Sequence, residues 1–123
     1  MRRITWLGLT LSILLLVIPH DSWAHAYLVK SSPARRAVVS RAPARVVLWF
    51  NERLEAQFSQ ASVWNSAGQQ VDGGDVQVDA DDGKKLSVGV SPLLAGTYKV
   101  KYRVLSVDGH VVESEFPFTV RGE

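Results

Sequence analysis

The chain has 123 residues, room for one domain, with 46% hydrophobic and 21% charged residues and a formal charge of only +2. So small and evenly spread a charge argues against nucleic acid or an anionic membrane surface as partner. Cysteine is absent, which excludes a disulfide scaffold, a redox pair, a thiolate metal site and a cysteine nucleophile, and leaves packing alone to hold the core.

Met1-Arg2-Arg3 is a short basic stretch, and Ile4 to Ile18 is almost wholly apolar. Pro19 breaks that run, and Ser22-Trp23-Ala24 puts small residues three positions and one position before a cleavage point. This three-part pattern predicts a secretory signal peptide over residues 1–24 and a mature domain over 25–123. The apolar run is shorter than the ~20 residues a spanning helix wants, so no membrane span is expected in the mature chain. Removal of Arg2, Arg3 and Asp21 lowers the formal charge to +1.

Cutting after Ala24 makes His25 the first residue. An N-terminal histidine offers its α-amine and an imidazole nitrogen together, in a geometry that closes a chelate ring on a metal. The amine's ordinary pKa is ~7.7–8, so a metal can displace its proton near neutral pH. Before cleavage the same nitrogen is an amide and a poor ligand. Some residue must follow any cleavage point, however, so His25 alone does not establish a site.

From Ala26 onward short β-rich segments recur between turn residues. Ala44–Phe50 is a dense apolar run suited to a buried strand. Gln57–Ala61 can form a short helical turn. Ala61–Asn65 reads as a strand ending at the turn Ser66-Ala67-Gly68. Val76–Val78 and Leu86–Val90 alternate, and the acidic run Asp79–Asp82 with Lys84-Lys85 between them reads as a solvated turn. Thr97–Leu105 is the clearest strand, with Tyr98, Val100, Tyr102 and Val104 on one face and Lys99, Lys101 and Arg103 on the other. Glu113–Val120 alternates too, with Phe116, Phe118 and Val120 together. Pro117 lacks an N–H, which predicts that this strand lies at an edge or pairs on one side only. Trp49 and Trp64 fall within strand-like runs and are expected to pack in the core. Six to eight short strands in about 100 residues favour an antiparallel sandwich or small Greek-key barrel.

Between the last two strands lies Ser106-Val107-Asp108-Gly109-His110-Val111. Asp-Gly between β-formers is a common hairpin signal and needs no function. The mature chain would hold only two histidines, one at its first residue and one in this turn. Side chains two apart on extended backbone share a side, so Asp108 and His110 can reach one metal. With the amine and imidazole of His25 they make three nitrogens and one oxygen, a set that suits tetragonal Cu(II).

The sequence resembles the CopC family of periplasmic copper-resistance proteins. The likeness rests on His25-Ala26-Tyr27-Leu28 through Ser32-Pro33-Ala34, and on Val47-Leu48-Trp49-Phe50-Asn51-Glu52. Its most specific block is Gly96-Thr97-Tyr98-Lys99-Val100 leading to Arg103-Val104-Leu105-Ser106-Val107-Asp108-Gly109-His110, closed by Phe118-Thr119-Val120. The resemblance implies an all-β, seven-stranded, Ig-like Greek-key sandwich in the periplasm. It also implies one Cu(II) ion held by the N-terminal histidine with the Asp and His of Asp-Gly-His, here His25, Asp108 and His110. A CopD-type inner-membrane copper transporter is the implied partner of a monomer. Arg36 and Ser114 stand where the family usually has glycine. Met1, the only methionine, is lost with the leader, so the Met-rich Cu(I) site of some relatives has no counterpart.

Glu113 and Glu115 can accept a hydrogen bond from an imidazole N–H, although solvated strand charges explain them equally well. Glu52 sits in a motif without a geometric reason to ligate. The leading reading is a copper buffering, resistance or delivery protein that is not an enzyme. The alternatives are a copper-dependent oxidase or oxygenase built on the N-terminal histidine, and a metal-free structural sandwich. No Gly-x-Ser-x-Gly elbow or phosphate loop supports a hydrolase.

Overall fold

A computed structural model describes residues 26–122; the segment 1–24 expected to be a signal peptide, His25 and Glu123 lie outside the described residues. The strands are β1 (Leu28–Ser32), β2 (Val38–Val39), β3 (Arg45–Phe50), β4 (Gln60–Asn65), β5 (Gln77–Val78), β6 (Lys85–Gly89), β7 (Gly96–Leu105) and β8 (Val111–Val120), with one 3-10 turn at Ala56–Phe58. They form two four-stranded sheets, ordered β1-β3-β6-β5 and β2-β8-β7-β4. The all-β sandwich is as expected. The described strands number eight rather than seven, and two of them, β2 and β5, are two-residue pieces pairing at the sheet margins.

Period-two patterning builds the core. Along β7, Tyr98, Val100, Tyr102 and Val104 are buried while the intervening lysines and arginine face solvent. Val46, Leu48 and Phe50 of β3 meet this face from the other sheet, with Leu86 and Val88 of β6 beside them. The rings of Phe50 and Tyr102 cross edge-on at 5.4 Å and tie the sheets together. Tyr98 stacks on Phe118 at 5.5 Å, and its hydroxyl donates to the Leu94 carbonyl at 2.6 Å, satisfying the polar end of a buried ring. Each such aliphatic or aromatic side chain contributes roughly 1.5–3 kcal/mol on burial.

Two expectations are corrected. The strand carrying Pro117 is not at the edge, because β2 pairs with it in parallel at Thr119 and Val120. The proline is tolerated because β2 starts only beyond it; the carbonyl of Pro117 points to that side and accepts from the Arg36 N–H at 2.7 Å. Trp49 and Trp64 are not core residues either. Both lie on outer faces, half-buried, beneath lysine ammonium groups: Nζ of Lys30 stands 4.6 Å from the Trp49 ring centroid and Nζ of Lys101 stands 5.1 Å from that of Trp64. In β3 and β4 the buried set is Val46, Leu48, Phe50 and Ala61, Val63, which puts each tryptophan on the opposite face.

Candidate metal centre

The β7–β8 ladder ends at the pair Leu105–Val111. Beyond it the Ser106 N–H donates to the His110 carbonyl at 3.0 Å, and the Gly109 N–H donates to the Ser106 carbonyl at 2.9 Å. The hairpin loop therefore has three residues, Val107, Asp108 and Gly109, rather than the two of an Asp-Gly turn. Gly109 takes φ +92°, a conformation that a side chain would strain.

Asp108 and His110 do come together, but through this turn and not through alternation on extended backbone. The Nδ1 of His110 lies 3.1 Å from Oδ1 of Asp108. That same oxygen accepts from the His110 backbone N–H at 3.2 Å and from the Ser106 hydroxyl. Ser106 is fully buried, so its hydroxyl is fixed in place beneath the loop. The Ser106 hydroxyl, and after it His110, hold the Asp108 carboxyl below its usual range. The Asp108 and His110 side chains are 29% and 42% exposed, while Nδ1 of His110, turned toward the carboxylate, is itself buried.

The segment following β3 links this loop to the start of the described chain. The Tyr27 N–H donates to Oδ1 of Asn51 at 2.6 Å, and the Asn51 N–H donates back to the Tyr27 carbonyl at 3.2 Å. Two residues on, the Arg53 carbonyl accepts from the Val107 N–H at 2.9 Å, and Leu54 bridges Ser106. The Glu55 N–H then donates to the Leu105 carbonyl at 2.8 Å. Residues 51–55 thus hold Tyr27 and the Asp108–His110 loop at one end of the sandwich. Ala26 is buried, which anchors the chain one residue after His25.

Asp108 and His110 are accordingly a pair; His25, the third expected ligand, is outside the described residues. Among the described residues no group of three or more His, Cys, Asp or Glu side chains could hold a metal ion. Glu115 is engaged by Lys99 at 3.3 Å on the outer face of β8, and Glu113 stands opposite Arg103. Glu52 is half-buried in the 51–55 connector. Two residues beside these positions were not among the expected site residues: Ser106, which donates to Asp108, and Asn51, which accepts from Tyr27. Each falls within a motif that carries the family resemblance, but no local pattern marks either one, since Asn51 meets Tyr27 across 24 residues and Ser106 is set apart by its burial.

Among the described residues no helix is long and apolar enough to cross a membrane. The CopC domain family model matches residues 28–121. The copper transport protein CutJ of Bacillus subtilis is 35% identical over 98% of this chain, which spans 22% of that protein's length. Copper resistance protein C of Pseudomonas syringae pv. tomato is 36% identical over 80% of this chain and 82% of its own. Among solved structures, CopC from Methylosinus trichosporium OB3b superposes with a TM-score of 0.76 at 37% identity, covering 80% of this chain and 96% of that one. PcoC, a methionine-rich copper resistance protein from Escherichia coli, gives 0.70 at 32% identity, covering 80% and 100%. These names are those of copper transport and resistance proteins, and none is an enzyme's. With the family model spanning most of the sequence and the sandwich shared, the chain belongs to the CopC family.

Proposed function

We propose that residues 1–24 are removed on export and that the mature chain is a periplasmic Cu(II)-binding protein, monomeric, with a single site. The ion is its cargo, held by the amine and imidazole of His25 with Asp108 and His110. The observation that carries this reading is the 3.1 Å approach of the Asp108 carboxylate to the His110 ring on a solvent-open loop. Two donors about 2.0–2.1 Å from one ion at a right angle stand about 2.9 Å apart, so the pair needs little movement to become adjacent ligands.

In sequence His25 comes two residues before Tyr27, whose backbone N–H is held by the Asn51 side chain at the same connector that holds the Asp108–His110 loop. The donor set is nitrogen and oxygen, with no cysteine and with methionine only at position 1, which favours Cu(II) over Cu(I). Relatives named for copper resistance and copper transport support copper as the metal.

Delivery to a membrane copper transporter of the CopD type fits the relation to CutJ, where a matching segment makes up 22% of a longer copper transport protein. Buffering or delivery requires no turnover. The test is a competition titration of the mature protein with Cu(II). One ion is expected per chain, with His110→Ala and Asp108→Ala each weakening binding at least tenfold. Unchanged affinity in both variants would contradict the reading.

A further inference from the structure

The Asn51 side chain accepts a hydrogen bond from the Tyr27 backbone N–H, and it does so from the connector that also grips the loop bearing Asp108 and His110. We infer that Asn51 is a positioning residue that sets the distance between the two halves of the proposed copper site. The inference rests on the Cu(II) reading above and adds a residue that touches no ligand.

The physical argument concerns chain freedom. Tyr27 precedes the first strand residue, Leu28, whose partner across the sheet is Phe50. Without a further tie the chain before Leu28 would fray, as termini do. Asn51 follows Phe50 directly and captures Tyr27 from both sides, accepting at 2.6 Å through its side chain and donating at 3.2 Å through its backbone. The side-chain bond belongs to Asn51 specifically, whereas the backbone bond survives any substitution other than proline.

Burial of the Ala26 side chain fixes the next residue outward. The two residues that follow His25 in sequence are thus both held, Ala26 by burial and Tyr27 by hydrogen bonds to Asn51. The other half of the site is held to the same connector at Arg53, Leu54 and Glu55. The connector is short, so the two halves cannot drift apart while Asn51 and Arg53 keep their partners. Preorganisation of this kind raises affinity by removing the ordering cost from the binding step.

The experiment compares Cu(II) affinity in two N-terminal forms, one starting at His25 and one with a single extra residue before it, each with Asn51, Asn51→Ala and Asn51→Asp. Aspartate keeps the acceptor oxygen and is expected to bind within about threefold of the parent. Alanine is expected to lose about tenfold in the His25-first form, at the low end for outer partners of metal ligands. In the extended form alanine should change nothing, because the half it positions is already lost.

Thermal melts of the metal-free variants establish that they fold. If alanine does not, Asn51→Leu, similar in volume and without an acceptor, replaces it. Full affinity of the acceptor-free variant in the His25-first form overturns the inference and leaves the copper reading standing. Equal weakening in both forms also overturns it, showing a general effect on the fold. Equal binding by the two parent forms removes the amine from the site, and the inference falls with it.

Discussion

Replacing Arg36 with glycine is expected to stabilise the fold. Arg36 is the one non-glycine residue at positive φ among those described, at +61°. A left-handed conformation costs a residue with a Cβ about 1–2 kcal/mol. Glycine gives part of this back, because its freedom in the unfolded chain costs about 0.4–1 kcal/mol on ordering. The Arg36 side chain is exposed, so little packing is lost, and the N–H that donates to Pro117 at 2.7 Å remains in glycine. The net expectation is a gain of roughly 0.5–1 kcal/mol, which for a domain of this size raises Tm by roughly 3–6 °C. Urea and thermal unfolding followed by circular dichroism measure it, with Arg36→Ala as the control that keeps the strained Cβ. A glycine variant no more stable than the parent, or an alanine variant stabilised equally, would refute the reasoning.

Leu48→Ala empties the centre of the core, since Leu48 is fully buried on β3 opposite Leu86. It should cost about 2.7–5 kcal/mol, a large share of the 5–15 kcal/mol typical of whole domains, and a change in urea midpoint worth under about 1 kcal/mol would contradict that placement. Ser106→Ala removes the hydroxyl that fixes Asp108, so Cu(II) affinity is expected to fall about tenfold while Ser106→Thr retains most of it. Unchanged affinity in the alanine variant would assign Ser106 to the fold alone. Asp75 receives the Gly89 N–H at 2.8 Å and Arg45 at 3.0 Å, and these, the Gly89 bond foremost, hold its carboxyl below the ordinary value. Its contribution to stability is therefore present above the unfolded value of ~3.9 and is lost as pH falls through the lower folded value. The stability gap between parent and Asp75→Asn should be widest near neutral pH and narrow below about pH 4; urea midpoints showing a gap independent of pH would contradict this.

Alternation made β7 and most of β8 legible, because a sheet with one buried face imposes a period of two. The edge pieces were not legible. β1 reads Leu-Val-Lys-Ser-Ser with a register irregularity between Leu28 and Lys30, and β2 is two residues long, so neither repeats a pattern enough to recognise. The tryptophans misled because a large aromatic in an apolar run looks interior. Their phase relative to Val46 and Leu48, or to Ala61 and Val63, puts them outside, where lysine ammonium groups stand over the rings. Asp108 and His110 were legible from spacing and scarcity, although their meeting depends on a three-residue turn that the dipeptide does not specify. Asn51 and Ser106 act through tertiary contacts across 24 residues in one case and through burial in the other, and neither is written in local pattern.

The most direct measurement is EPR of one equivalent of Cu(II) on two purified forms, one starting at His25 and one carrying a single residue before it. A tetragonal, nitrogen-rich spectrum with tight one-to-one binding in the His25-first form alone is the expected result, establishing the processed amine as a ligand beside Asp108 and His110. Identical spectra and affinities in the two forms would contradict the claim that signal cleavage completes the site.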